Sequence, residues 1–161
     1  MPKIIGESLA SHRELTRTRL FEALGSLMGE QSFESITMSQ IAERAGVGRT
    51  AVYNHFADKE VLLLAYMREV TGEFARVLTQ RLEAEPDPLM RLRIYIRSHL
   101  QMIGRYHVKA GMSLRRHMSG QGASHLHDHA GVVGEVLIGI LDEAMERGLI
   151  AQQNTLGAVH L

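Results

Sequence analysis

Between Arg49 and His55 the chain sets out a guanidinium at Arg49, hydroxyls at Thr50 and Tyr53, an amide at Asn54 and an imidazole at His55. Groups of these types can hydrogen-bond base edges and phosphates of a nucleic-acid duplex. Val52 and Phe56 lie four apart in the same stretch, so on a helix they can anchor one face to a core and leave Arg49, Thr50, Tyr53 and His55 available on the other. A second concentration of chemistry is His125, His127, Asp128 and His129, with His117 upstream. Histidine and carboxylate are good ligands for zinc, nickel or copper. On a helix His125 and His129 share a face and could hold one metal, while His127 points elsewhere. Histidine also starts helices and lines pockets without metal, so both readings stand. There is no cysteine, which removes disulfides, thiolate nucleophiles, zinc-thiolate sites and iron-sulfur clusters together and suits a reducing cytoplasm. A metal-dependent hydrolase would need a second ligand set that is not evident, nor is a Gly-rich phosphate loop or a Ser-His-Asp pattern, so the chain is not expected to be an enzyme.

The elements that must position these groups are helices. Of 161 residues only Pro2, Pro86 and Pro88 are proline and tryptophan is absent, so little interrupts long helices and an all-α fold follows. Leu20, Leu24, Leu27 and Met28 fall on one helical face that must pack on its neighbours. Thr37 to Gln40 has the form of a capping box, which predicts a helix through Ala45 that Gly46 ends with a sharp turn. A short helix over Arg49 to His55 follows, and Asp58 can cap a long one reaching Leu82 or beyond. Pro86-Asp87-Pro88 stops that helix. Further helices are expected from Leu89 to Tyr106, near Val108 to Met118, and from His125 to Arg147, with a loop at Gly120-Gln121-Gly122 and Gly148 as the last terminator. Met38 to His55 thus supplies a short helix, a glycine turn and a second helix bearing exposed polar groups, the ingredients of a helix-turn-helix. An ordinary helical hairpin, or an adaptor that binds only protein, has the same outline.

Bulk charge does not argue for nucleic acid. The chain carries 18 basic and 18 acidic residues. Met1 to Glu60 holds Lys3, Arg13, Arg17, Arg19, Arg44, Arg49 and Lys59 against eight acidic residues, so any grip on DNA comes from placement. Arg13, Arg17 and Arg19 either lie along the DNA backbone or form a solvated face. Neither a secretory signal nor a run long enough to cross a bilayer is present, and a cytoplasmic protein without membrane partners is expected.

Phe33 through Glu60 closely resembles the DNA-binding segment of the TetR family of transcriptional regulators. Thr37, Ile41-Ala42, Ala45-Gly46-Val47, Tyr53, His55-Phe56 and Lys59-Glu60 fall where that family's pattern expects them, and the likeness extends over roughly Arg13 to Leu64 with gaps. Two residues depart from it: Ser32, where glycine is common, and Gly48, where serine or threonine is common. Gly48 offers no hydroxyl to phosphate but remains an acceptable helix cap. The resemblance implies phosphate contacts from Thr37 and its helix start, Tyr53, His55 and Lys59, and makes Arg49 and Thr50 the candidates for reading bases, with Asn54 behind them.

It also implies an architecture: a helix-turn-helix domain over residues 1–57, and a helical ligand-sensing and dimerisation domain over 58–161. The expected partners are palindromic operator DNA, a second copy in a homodimer and a small-molecule effector that releases a repressor, with no cofactor. The chain ends at Leu161 inside what reads as a new helix begun near Asn154, so either this second domain is shortened relative to the family's usual one or the dimer forms through an abbreviated surface. Met102, Tyr106, Met112, Arg116, His117 and His129 are the candidate ligand contacts. A metal- or haem-responsive regulator using His117 and the His125 to His129 cluster is the alternative. Seven basic and no acidic residues lie between Pro88 and His127, followed by an acidic stretch, which suits either helices of complementary charge or a pocket for an anion.

Overall fold

The computed structural model describes residues 3–106 and 120–155, with side chains over 10–104 and 133–155. Among the described residues there are six α-helices and no strand. They are α1 (Lys3–Glu30), α2 (Met38–Ala45), α3 (Arg49–His55), α4 (Lys59–Glu83), α5 (Pro88–Tyr106) and α6 (Gly120–Glu146), with a 3₁₀ turn at Phe33–Ser35. The expected helix near Val108 to Met118 lies outside the described residues. The chain forms two compact units, Met1–Tyr66 and Met67–Leu161.

In the first unit the apolar positions of α1 bury as their spacing requires: Leu20 and Leu24 are inaccessible, and Phe21, Ala23 and Leu27 nearly so. They pack with Ile41 and Ala42 of α2, Val52 of α3 and Leu62, Leu63 and Tyr66 of α4, all buried. Phe21 is the aromatic hub, with its ring centroid 5.9 Å from that of Phe56 and 6.0 Å, edge-on, from that of Tyr66. Such pairs add to the area they bury because ring edges and faces carry opposite partial charge. Arg44 fastens α2 to α1 from outside, donating to both carboxylate oxygens of Glu30 (2.6 and 2.8 Å) and to Ser26 Oγ. That guanidinium holds the Glu30 carboxyl below its usual pKa.

The second unit is built around Phe74 and Leu78 of α4, Tyr95 of α5, and Val133 and Ile140 of α6, with Met102 and Leu92 packed against them. Leu78 and Tyr95 are buried. Arg81 reaches across to Ser98 Oγ at 3.0 Å, and the Tyr95 hydroxyl donates to the Val133 carbonyl at 3.3 Å. Among the basic residues of α5, Arg91 pairs with Glu143 at 2.7 Å, a cross-helix contact of the kind that complementary helix charges provide. Gly148, at φ 67°, ends α6 as expected, with the Leu149 N–H returning to the Ala144 carbonyl.

One boundary differs. The expected loop at Gly120 to Gly122 is instead the opening turn of α6. A glycine there costs less than in a helix interior, because the first four N–H groups of any helix lack an intrahelical partner.

Candidate nucleic-acid interface

The interface is assembled by three local devices. The Thr37 side chain accepts the Gln40 N–H at 3.2 Å while Gln40 Oε1 accepts the Thr37 N–H at 2.8 Å, which closes the capping box and fixes where α2 starts. The Thr37 hydroxyl also donates to Gln40 Oε1 at 2.9 Å, so the cap engages its proton. At the other end Gly46 takes φ 65°, ψ 34°, and the Val47 N–H returns to the Ala42 carbonyl at 3.0 Å. That left-handed turn is open to glycine at no steric cost, and it lets α3 leave α2 after three residues. Gly48 then precedes α3 in an extended conformation with no side-chain cap.

On α3 one side chain is fully buried, Val52 at 1% exposure, and Phe56 beyond the helix is buried at 8%. These two pin the helix. Gly48, Arg49, Thr50, Tyr53 and Asn54 are exposed, and Thr37 is exposed at the start of α2. The Tyr53 ring, half accessible, is a large aromatic surface left unburied on the helix. Arg49, Thr50, Tyr53 and Asn54 therefore share the outward side of a helix held by its inner side, the arrangement that entry into a major groove needs.

His55 and Lys59 stand apart from that group. His55 is half-buried and faces the amino-terminal half of α1, in an open cleft with Arg13, Glu14, Arg17, Phe56, Ala10 and Ala65. Burial, and next the charge of Arg13, lower its pKa from the ordinary imidazole value, with Glu14 opposing. Lys59 turns inward: its ammonium donates to the carbonyls of Phe33 (3.0 Å), Glu34 (2.8 Å) and Ile36 (3.0 Å) and lies 4.9 Å from the Phe33 ring centroid. An ammonium has three N–H bonds, and all three are accounted for by the loop ahead of α2. The phosphate contact expected of Lys59 thus competes with a finished set of internal bonds.

Residues 20–66 match the model of bacterial regulatory proteins of the tetR family. Over those residues the chain is similar to the tetR family. Among its relatives, the HTH-type transcriptional regulator BetI of Klebsiella pneumoniae (strain 342) is 36% identical over 73 residues, which covers 45% of this chain and 37% of BetI. The matched stretch spans under half of the curated relatives' length. Two solved structures share the fold. FadR from Bacillus subtilis, in complex with stearoyl-CoA, is 20% identical at a TM-score of 0.76, covering 88% of this chain and 78% of FadR. AibR, in complex with isovaleryl coenzyme A and operator DNA, is 18% identical at 0.77, covering 90% and 80%. The tetR-family match ends at Tyr66, the same residue at which the first compact unit closes.

In the second unit Met102 is half-buried against the core and Tyr106 closes α5, its side chain outside those described. Met112, Arg116 and His117 lie outside the described residues. His125 and His129 fall on the α6 backbone, their side chains again outside those described, and the described side chains hold no group of three histidine or carboxylate residues suited to a metal. The sequence reading passed over His99. Its ring stacks on Tyr95 (centroids 5.8 Å apart) and meets Phe74 edge-on at 5.8 Å, with Nδ1 buried and lacking a hydrogen-bond partner among the described residues. Burial lowers its pKa. The four-residue step from Tyr95 to His99 was the available signal.

Proposed function

We propose that the chain is a DNA-binding transcriptional repressor that acts as a homodimer on a palindromic operator and is released by a small-molecule effector. The observation that carries this reading is the outward row of Arg49, Thr50, Tyr53 and Asn54 on a helix whose inner side is locked by Val52 and Phe56. One such helix contacts few bases, so two copies spaced by about one helical turn are needed for useful specificity. Arg49 and Thr50 read base edges, Tyr53 and the start of α2 at Thr37 hold phosphates, and Asn54 supports them.

The effector acts by population shift: it favours a conformation in which the two heads no longer match successive grooves. α4 belongs to both units, with Leu62 and Leu63 buried in the first and Phe74 and Leu78 in the second, so it is the natural carrier of that change. The CoA thioesters held by FadR and AibR make acyl-CoA compounds the first effectors to try. The test is selection of a bound sequence from a random duplex pool, followed by titration of that duplex with single variants. Tyr53→Ala is expected to weaken all duplexes alike, and Arg49→Ala to relax preference at particular base pairs as well. If the wild-type chain shows no salt-sensitive affinity for any duplex, the reading fails.

A further inference from the structure

Arg13 and Arg17 lie one helical turn apart on α1 and share a cleft with His55, the last residue of α3, whereas Arg19 does not line it. The cleft has a volume of about 530 Å³ and is open to solvent, and its lining includes the apolar Phe56, Ala10 and Ala65. Small-molecule sites enclose most of their ligand. An open trough with cations along one wall instead suits a chain that passes across it. The trough opens at the carboxy-terminal end of the helix that carries Arg49, Thr50, Tyr53 and Asn54.

We infer that this cleft is a second anchoring point for the DNA backbone, in which Arg13, Arg17 and His55 hold a phosphate flanking the bases read by α3. The inference rests on the DNA-binding reading above and adds to it the role of the amino-terminal half of α1. Three features support the assignment. The two guanidiniums are permanently charged and match phosphate geometry. The Arg17 guanidinium lies 5.1 Å from the Phe21 ring centroid, which orients it. The imidazole of His55 already feels the cations, since Arg13, Arg17 and His12 all lower its pKa. Glu14 is the one anionic group in the lining and opposes them. A phosphate entering the cleft would offset the mutual repulsion of Arg13, Arg17 and a protonated His55.

The experiment measures the affinity of the full chain for a mixed-sequence duplex as a function of salt. Each phosphate contact adds about 0.9 to the slope of log affinity against log salt, so the double variant Arg13→Gln, Arg17→Gln, which gives up one phosphate, is expected to flatten it by about one unit for specific and non-specific duplex alike. Arg19→Gln, on the same helix outside the cleft, should leave the slope unchanged, and Glu14→Gln should tighten binding. An unchanged slope in the double variant, or an equal loss in Arg19→Gln, overturns the site. Circular dichroism confirms that each variant is folded. Should the wild-type chain bind no duplex, the DNA reading fails by itself, and titration with inorganic phosphate then decides the cleft. A shift of the His55 ring resonances that the double variant abolishes upholds an anion site, and no shift removes it.

Discussion

Replacing Lys59 by methionine keeps the apolar stem and removes the ammonium, with its three internal hydrogen bonds at 2.8 to 3.0 Å and its contact with the Phe33 ring. A hydrogen bond to a charged group contributes about 1.5–3 kcal/mol when its partner is left buried and unsatisfied. Here Glu34 is exposed, so water replaces the ammonium at its carbonyl, whereas the carbonyls of Phe33 and Ile36 belong to buried residues. About two effective bonds are therefore lost, giving roughly 3–6 kcal/mol, to which the ring contact adds about 0.5–1 kcal/mol. That is a large fraction of the stability of a small domain. Because the lost bonds fix the loop from which α2 departs, the folded remainder should also bind DNA more weakly, without any change in the number of phosphates contacted. The assay pairs urea unfolding with DNA titration over a range of salt, well below the transition. The expected result is a lowered unfolding midpoint, a weaker affinity and a parallel salt slope. If Lys59→Met is as stable as wild type and its salt slope falls by about one unit, the lysine is a phosphate ligand and the reasoning fails.

Two further outcomes follow from the geometry. Gly46→Ala meets no atom within 4 Å, so its cost is the left-handed backbone alone, about 1–2 kcal/mol, with Gly46→Asn losing less; denaturant midpoints for the pair test this. His99 has its pKa lowered by burial, so the unfolded chain takes up its proton first: its contribution is intact above about pH 6.5, the ordinary unfolded value, and is lost as pH falls from there through the folded value. His99→Leu should remove that acid sensitivity and match or exceed wild-type stability at neutral pH by deleting Nδ1, which has no partner among the described residues, as thermal melts across pH 5 to 8 would show. A variant with an unchanged pH profile would mean that another group carries it.

What could be read without coordinates was whatever a few neighbouring residues decide between themselves. The capping box needs only Thr37 and Gln40, the turn needs only Gly46, and the anchoring of α3 needs only Val52 and Phe56 at helical spacing. The stop at Pro86 to Pro88 and the terminator at Gly148 belong to the same class. The opening turn of α6 escaped for the complementary reason: glycines read as a loop when taken locally, and their helical state is settled by the long apolar-faced helix that follows. His99 escaped because its environment comes from two helices, Phe74 on α4 and Tyr95 on α5.

The cations of the first unit carry this distinction furthest. By type, Arg13, Arg17, Arg19, Arg44, Arg49 and Lys59 are equivalent candidates for phosphate, and nothing in their spacing ranks them. Packing separates them. Arg44 is matched by a carboxylate that presents both oxygens, and Lys59 by three carbonyls of the loop ahead of α2. Arg49 stands on the outward side of α3, and Arg13 and Arg17 converge with His55 at its end. A near-neutral head can therefore still grip a polyanion: Glu30 is spent on Arg44, while Arg13, Arg17 and Arg49 lie on or beside the reading helix. On that view neutralising Glu30 would release Arg44 and weaken the α1 to α2 junction without adding a phosphate contact, whereas neutralising Glu14 would act on DNA affinity directly. The two substitutions change net charge by the same amount, so a difference in their salt slopes would show that placement, and not total charge, governs binding.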